Sequence, residues 1–304
     1  MKIIITGATS FIGQNLIRRL IKEGHFVYAV VRPNSMKAKE LLVSSQIKVV
    51  ELEMHEYTKL DEKINEMCDV YFSLAWEGTR SAERDNHNLQ KRNFECSTAA
   101  LKSIKNLGCH LILSAGSQAE YGLCDDYVKE TSIADPVTWY GKYKLKYFLK
   151  TTDFCNQNNI AFKEPRFFSL YGPDDFKGTM IFSILDKMLK NESCDLTECK
   201  QMWDFLYIDD AIEALISLME RPCEDGIYNL GSGDSRSLRE YIEEMYSLSG
   251  SNSKLNFGSV PYPATGMVNV MPDIAKLKRQ VGFVPKTTFA EGIKRIILEM
   301  KGHN

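Results

Sequence analysis

The chain has 304 residues, 44% of them hydrophobic and 26% charged, with a formal net charge of −2. That composition is globular and excludes disordered and fibrous classes. The near-neutral charge, with basic residues scattered along the chain, argues against nucleic-acid binding.

No apolar stretch approaches the ~20 residues that a membrane helix needs. Met1 leads straight into an apolar strand, without the regions of a secretory leader, so a soluble cytoplasmic protein is expected. The eight cysteines, at 68, 96, 109, 124, 155, 194, 199 and 223, contain no C-x-x-C pair. Free thiols are therefore expected, and no metal site.

Lys2–Thr6 (KIIIT) reads as a strand, and 11–23 as a helix with apolar residues at 12, 16, 17, 20 and 21, closed by Gly24. Phe26–Val31 is a second strand. Further strands are predicted at 46–52, 69–74, 109–114 and 160–165, with helices near 57–66, 82–107 and 138–158. Apolar strands alternating with helices predict an α/β fold, a doubly wound parallel sheet of the Rossmann type. Beyond Gly172 and Pro173 the pattern loosens. Helices near 178–190, 209–220, 237–248 and 289–301 mix with short strands at 194–198, 205–207, 227–230 and 254–257. Residues 1–172 are thus expected to bind a dinucleotide. Residues 173–304 should form mainly a substrate-binding lobe, with some segments returning to the first part.

The first strand runs into Thr6-Gly7-Ala8-Thr9-Ser10-Phe11-Ile12-Gly13, which opens a helix. A pyrophosphate site needs a tight turn at Gly7, close backbone approach along Thr9 and Ser10, and a small residue at Gly13 where helix packs on strand. Amides at the helix start, from Phe11 and Ile12, supply donors and partial positive charge. The second strand ends Val30-Val31-Arg32, with no carboxylate for a ribose 2′-hydroxyl. Arg32 suits the extra phosphate of NADP(H), so NAD is the less favoured cofactor.

Tyr140 and Lys144 lie four residues apart on a predicted helix, hence on one face. An ammonium nearby favours the phenolate and brings a tyrosine toward the working pH range. Ser117 follows the strand at 109–114, at the carboxyl end where such sheets bind ligands, and its hydroxyl can hold a carbonyl oxygen.

These segments together resemble an extended short-chain dehydrogenase/reductase of the nucleotide-sugar epimerase/dehydratase/reductase type, over essentially the whole chain. The matching stretches are TGATSFIG (6–13), DVYFSLAW (69–76), Asn93, GSQAEYG (116–122), YGKYK (140–144) and RFFSLYGP (166–173). WDFLYIDDAIEAL (203–215), GIYNLGSG (226–233) and PDIAKLKRQVGF (272–283) continue them. The resemblance implies Ser117, Tyr140 and Lys144 as the catalytic set. It assigns Leu74, Ala75, Trp76, Asn93, Pro165 and Phe168 to the cofactor site, together with Tyr140 and Lys144. It also implies a nucleotide-diphosphate sugar as substrate, and a homodimer formed through the helices near 82–107 and 138–158.

Several positions depart from the family pattern. Ser10 replaces a glycine, and Glu53-Met54 an Asp-hydrophobic pair. Trp76 replaces an alanine, and Trp203 an arginine near the sugar-nucleotide phosphates. Sugar-nucleotide dehydratases carry an Asp-Glu pair directly after the active-site Ser/Thr. Here Gln118 and Ala119 stand there, and Glu120, one residue on, is expected to point elsewhere along an extended chain. Dehydration is not expected.

A 4-epimerase keeps NAD bound, whereas a 4-ketoreductase consumes NADPH; Arg32 favours the reductase. Within the family the chain is most similar to the reductases that finish deoxysugars, such as CDP-abequose synthases. A non-catalytic NADP(H)-sensing protein is disfavoured by the joint presence of Ser117, Tyr140 and Lys144. Substrate choice is expected to rest on loops 78–87, 174–180 and 260–270.

Overall fold

Ile3, Ile4 and Ile5 are all fully buried in the computed structural model, which describes residues 1–41, 44–262 and 267–302. Alternate side chains leave opposite faces of a strand, so three consecutive buried residues require a sheet covered on both sides. They belong to β1 (Lys2–Thr6). The chain continues through α1 (Phe11–Lys22), β2 (Phe26–Val31), β3 (Ile47–Glu51), α2 (Leu60–Ile64), β4 (Val70–Ser73), α3 (His87–Asn106), β5 (Leu111–Ser114), β6 (Gly116–Ser117), α4 (Trp139–Asn158) and β7 (Ala161–Phe167). Then come β8 (Leu170–Tyr171), α5 (Met180–Leu189), β9 (Cys194–Leu196), β10 (Met202–Trp203), β11 (Leu206–Tyr207), α6 (Ile208–Glu220) and β12 (Gly226–Leu230). The last elements are β13 (Arg236–Ser237), α7 (Leu238–Ser249), β14 (Leu255–Phe257), α8 (Ala275–Val281) and α9 (Phe289–Gly302).

The main sheet runs β12-β7-β5-β4-β1-β2-β3, with β6 also paired to β7, and every pairing in it is parallel. On one face Ile3, Ile5, Val27 and Phe72 pack with Leu16, Ile17 and Leu20 of α1. On the other, Ile4, Tyr28, Tyr71 and Ile112 pack with Leu101 and Ile104 of α3 and Cys155 of α4. Strand order reverses at β1, so successive connections diverge between β1 and β4. That divergence opens a crevice at the carboxyl ends of the strands. This is the doubly wound parallel sheet that the alternating pattern predicts.

Local chemistry moves several boundaries. The helix expected near 82–107 divides into a 3-10 turn (Ser81–Asp85) and α3, because Asn86 caps α3 by accepting the Leu89 N–H at 3.1 Å. The stretch near 57–66 becomes a 3-10 turn (Met54–Lys59) followed by α2. Pro165 falls inside β7, in the gap where pairing to β5 ends at Lys163 and pairing to β6 begins at Arg166. The strand expected at 227–230 joins the main sheet as β12 beside β7. α8 was not expected, since seven residues with two buried apolar side chains carry too little periodicity to read.

Within the C-terminal half, buried Asp204 pins the 231–233 turn. Its carboxylate accepts the N–H groups of Ser232 and Gly233 at 2.7 and 2.8 Å and the Ser232 hydroxyl at 2.9 Å. All eight cysteines are free, six of them buried. No helix among the described residues is long and apolar enough to cross a membrane. Of the loop expected at 260–270, residues 263–266 lie outside the described residues.

Candidate active site

The turn after β1 is shaped by close backbone approach. Gly7 has φ +72°, and a Cβ there would fall 2.7 Å from the Ala75 amide nitrogen. At Gly13 a Cβ would fall 2.3 Å from the Gly7 carbonyl oxygen. Both positions therefore require glycine, one to let the chain after β4 close on the turn and one to seat α1. Ser10 caps α1, its Oγ accepting the Gly13 N–H at 3.0 Å. The Phe11 and Ile12 amides, ahead of Gly13, belong to the first turn, where helical N–H groups lack intrahelical partners. No acidic side chain in that turn offsets the positive helix end, which suits an anion such as pyrophosphate.

Gly7, Thr9, Ser10, Arg32, Leu74, Ala75 and Trp76 line one cleft of about 740 Å³, together with Val30, Lys37, Met54, Tyr57 and Glu77. These residues fit a dinucleotide, with the glycine turn for the pyrophosphate and Arg32 and Lys37 at the ribose end. Arg32 is 67% exposed, free to turn toward a ligand. A carboxylate that strand order conceals also reaches it: Glu77, just past β4, lies 3.7 Å from Arg32 and pairs with Arg92 as well. Around the cleft three cations (Arg32, Lys37, Arg92) face two carboxylates (Glu77, Glu83).

Asn93 does not line the cleft. It is buried and brackets the wall, accepting the Glu77 N–H at 3.2 Å and donating to the Glu77 carbonyl at 2.8 Å. Pro165 is likewise buried within β7, which β5 and β4 separate from β1 and its pyrophosphate turn. Phe168, half-buried just beyond β7, packs against Tyr121.

Ser117, Tyr140 and Lys144 come together at the carboxyl end of the sheet. The Ser117 Oγ accepts the Ala119 N–H at 3.2 Å, which leaves its own proton free to donate. Burial raises the Tyr140 phenol, while the facing Ser117 hydroxyl and the charge of Arg84 pull it down. Lys144 lies on the α4 face that carries Tyr140, and its ammonium is engaged by its surroundings. Its Nζ donates to the Ala115 carbonyl at 2.6 Å and lies 4.1 Å over the Trp76 ring. Burial lowers the Lys144 ammonium to about 8, against the upward pull of Glu120 and Glu164. The cation on the Tyr140 ring is Arg84, 4.7 Å from its centroid. Trp76 is fixed by its indole N–H, which donates to Gln90 Oε1 at 2.7 Å, and it packs edge-on against Tyr140.

Gln118, Ala119 and Glu120 form a 3-10 turn, not the extended chain expected. Glu120 does point away from the crevice, for a different reason. Its carboxylate is fully buried, accepts the Ser117 N–H at 2.7 Å and pairs with Arg166 at 2.9 Å. Glu164 holds the other side of Arg166 at 3.0 Å. Burial pushes both carboxyls up, with Arg166 opposing. A Cβ at Gly116 would fall 2.8 Å from both Glu164 Cγ and Arg166 Cγ, so this glycine makes room for the buried charges.

Trp203 lies opposite Arg236 in the β10–β13 ladder, but Arg236 is engaged by Glu244 at 2.9 Å and Asp234 at 3.3 Å. Glu23, His25 and Glu220 converge at the far end of α1 from the cleft, with Glu23 already paired to Arg19.

Residues 3–231 match the NAD dependent epimerase/dehydratase family, and the chain belongs to that family. The CDP-abequose synthase of Salmonella muenchen is 24% identical, covering 97% of each chain. A UDP-N-acetyl-alpha-D-glucosaminuronate decarboxylase of Bacillus cytotoxicus is 25% identical, covering 97% of this chain and 96% of the relative. The fold matches a UDP-glucuronic acid 4-epimerase from Bacillus cereus in complex with NAD, with a TM-score of 0.84, 20% identity and 99% coverage of both chains. These relatives are nucleotide-sugar enzymes by name.

Proposed function

We propose that the chain reduces the 4-keto group of a nucleotide-diphosphate-linked sugar at the expense of NADPH. The observation that carries this reading is the meeting of Ser117, Tyr140 and Lys144 beside the dinucleotide cleft, with no acid or base at 118 and 119. The nicotinamide, when bound, supplies the hydride. Ser117 donates its free hydroxyl proton to the substrate carbonyl, and Tyr140 delivers the proton that completes the alcohol. Lys144 holds the nicotinamide ribose, and Trp76 keeps the ammonium stem in place. Gln118 and Ala119 cannot exchange protons with the sugar, which restricts the site to hydride and proton transfer. A homodimer through α3 and α4 accompanies this reading; Trp139 and Leu149, both exposed on α4, suit a helix-to-helix contact.

A second reading is an NAD-dependent nucleotide-sugar 4-epimerase. It is favoured by Glu77, whose carboxylate competes for Arg32, and by the NAD in the Bacillus cereus relative. Arg32→Asp separates the two. We expect the variant to lose NADPH affinity about tenfold or more while keeping NADH, because a charge-assisted hydrogen bond to phosphate is replaced by repulsion. Equal binding of NADPH by both proteins, measured by fluorescence titration, removes Arg32 from the site.

Cofactor affinity is also expected to depend on pH through Lys144. The ammonium titrates near 8 in the free protein because burial favours the neutral amine. A ribose contact made by the ammonium therefore holds below that pH and is lost as pH rises through it. NADP(H) dissociation constants should be flat below pH about 8 and rise above it, and Lys144→Met should abolish the rise.

A further inference from the structure

Arg84 has no place in the sequence pattern, yet it is the cation stacked on the reactive tyrosine. It stands in the 3-10 turn before α3, half-buried. Its guanidinium carbon lies 4.7 Å from the Tyr140 ring centroid. It makes no ion pair among the described residues, and its Nε is buried without a hydrogen-bond partner. A half-buried guanidinium with an unpartnered N–H and no carboxylate gains from a group that uses its charge. Lys144, the cation expected to do so, is turned to the Ala115 carbonyl and the Trp76 ring.

We propose that Arg84 is a positioning residue for catalysis: its guanidinium, laid over the Tyr140 ring, stabilises the phenolate left when Tyr140 gives up its proton. This rests on the proton-donor role proposed for Tyr140. In that step the Tyr140 O–H bond breaks and an O–H bond forms on the substrate alkoxide. The electron pair stays on the phenolate oxygen, so negative charge appears on a ring that already carries a cation on its face. Attraction of a cation to an aromatic face is electrostatic and strengthens when the ring becomes anionic.

The other groups facing Tyr140 do not supply this charge. Ser117 on β6 is neutral, Trp76 meets the ring edge-on, and Glu120 and Glu164 oppose ionisation. Arg84 is the charged group that pulls the phenol down. The 3-10 turn ahead of the Asn86 cap is the segment that carries Arg84 to the ring.

The test reads the ionisation of Tyr140 directly, by ultraviolet difference titration of the full chain with NADP(H) bound. Spectra of the wild type minus Tyr140→Phe are compared with those of Arg84→Gln minus the Arg84→Gln, Tyr140→Phe double variant. We expect the Tyr140 pKa to rise by about one unit or more in Arg84→Gln. kcat should fall about tenfold at fixed pH, its pH profile should move in the same direction, and KM should change little. Arg84→Lys should restore most of both. Arg84→Met keeps the stacking without the charge and repeats the test should Arg84→Gln fold poorly. An unchanged Tyr140 titration in the charge-neutral variants overturns the proposal, as does a loss confined to KM. Full turnover by Tyr140→Phe would instead sink the proton-donor reading, and the titration would still report what Arg84 does to the phenol.

Discussion

Tyr140→Phe is expected to bind NADP(H) as the parent does and to lose about 10²–10⁴-fold in turnover, the usual share of a positioned proton donor. The substitution removes one hydroxyl and leaves the ring. That ring holds the contacts that keep the site in shape: the edge of Trp76 and the face under Arg84. The hydroxyl faces Ser117, and among the described residues it makes no hydrogen bond to the backbone. Lys144 keeps its Ala115 contact, and the cleft lined by Gly7 and Arg32 is untouched. Steady-state turnover and a fluorescence titration of the cofactor check this together. Turnover within a few-fold of the parent removes Tyr140 from the chemistry, and loss of cofactor binding marks it as a structural residue.

The largest stability effect is expected at Arg166. Its side chain is 1% exposed and bridges two adjoining carboxylates that are 0% and 1% exposed. Arg166→Met fills similar space without charge and leaves Glu120 and Glu164 facing each other. Breaking a buried pair by removing one partner costs about 3–5 kcal/mol, a large part of a typical domain stability. The sign of the pH dependence follows. Buried carboxyls without their cation titrate above their unfolded value, so the folded variant binds more protons than the unfolded chain, and its stability falls as pH rises. Denaturant unfolding at about pH 5 and about pH 8 should therefore show the larger deficit at the higher pH. Turnover should drop as well, because Glu120 anchors the Ser117 amide. A variant as stable as the parent at both pH values would mean that the three side chains are not a charged unit.

Much of the scaffold was legible because its signals are local. The three buried isoleucines of β1 and the glycines at 7 and 13 announce the first strand, turn and helix, and the second strand was read to the residue. Spacing and the place after a strand single out Tyr140, Lys144 and Ser117, and the fold sets Ser117 facing Tyr140 with Lys144 one turn along α4. What escaped the sequence is what the fold brings together from afar. Glu77 reaches Arg32 across 45 positions, Arg84 lies over a tyrosine 56 positions away, and Arg166 joins Glu120 across 46. Each reads as an ordinary solvated charge in a one-dimensional pattern. Lys144 shows the converse limit. Helical spacing placed it on the Tyr140 face, but its flexible stem follows Trp76 and the Ala115 carbonyl, which spacing does not disclose.

The most direct test of the account follows hydrogen. The protein is given NADPH deuterated at the transferable position and a nucleotide-linked 4-keto-sugar. Deuterium is expected at C4 of the sugar, with one NADP⁺ formed for each product and none retained on the protein. A purified protein that carries NAD, interconverts nucleotide sugars at C4 and consumes no NADPH would contradict it.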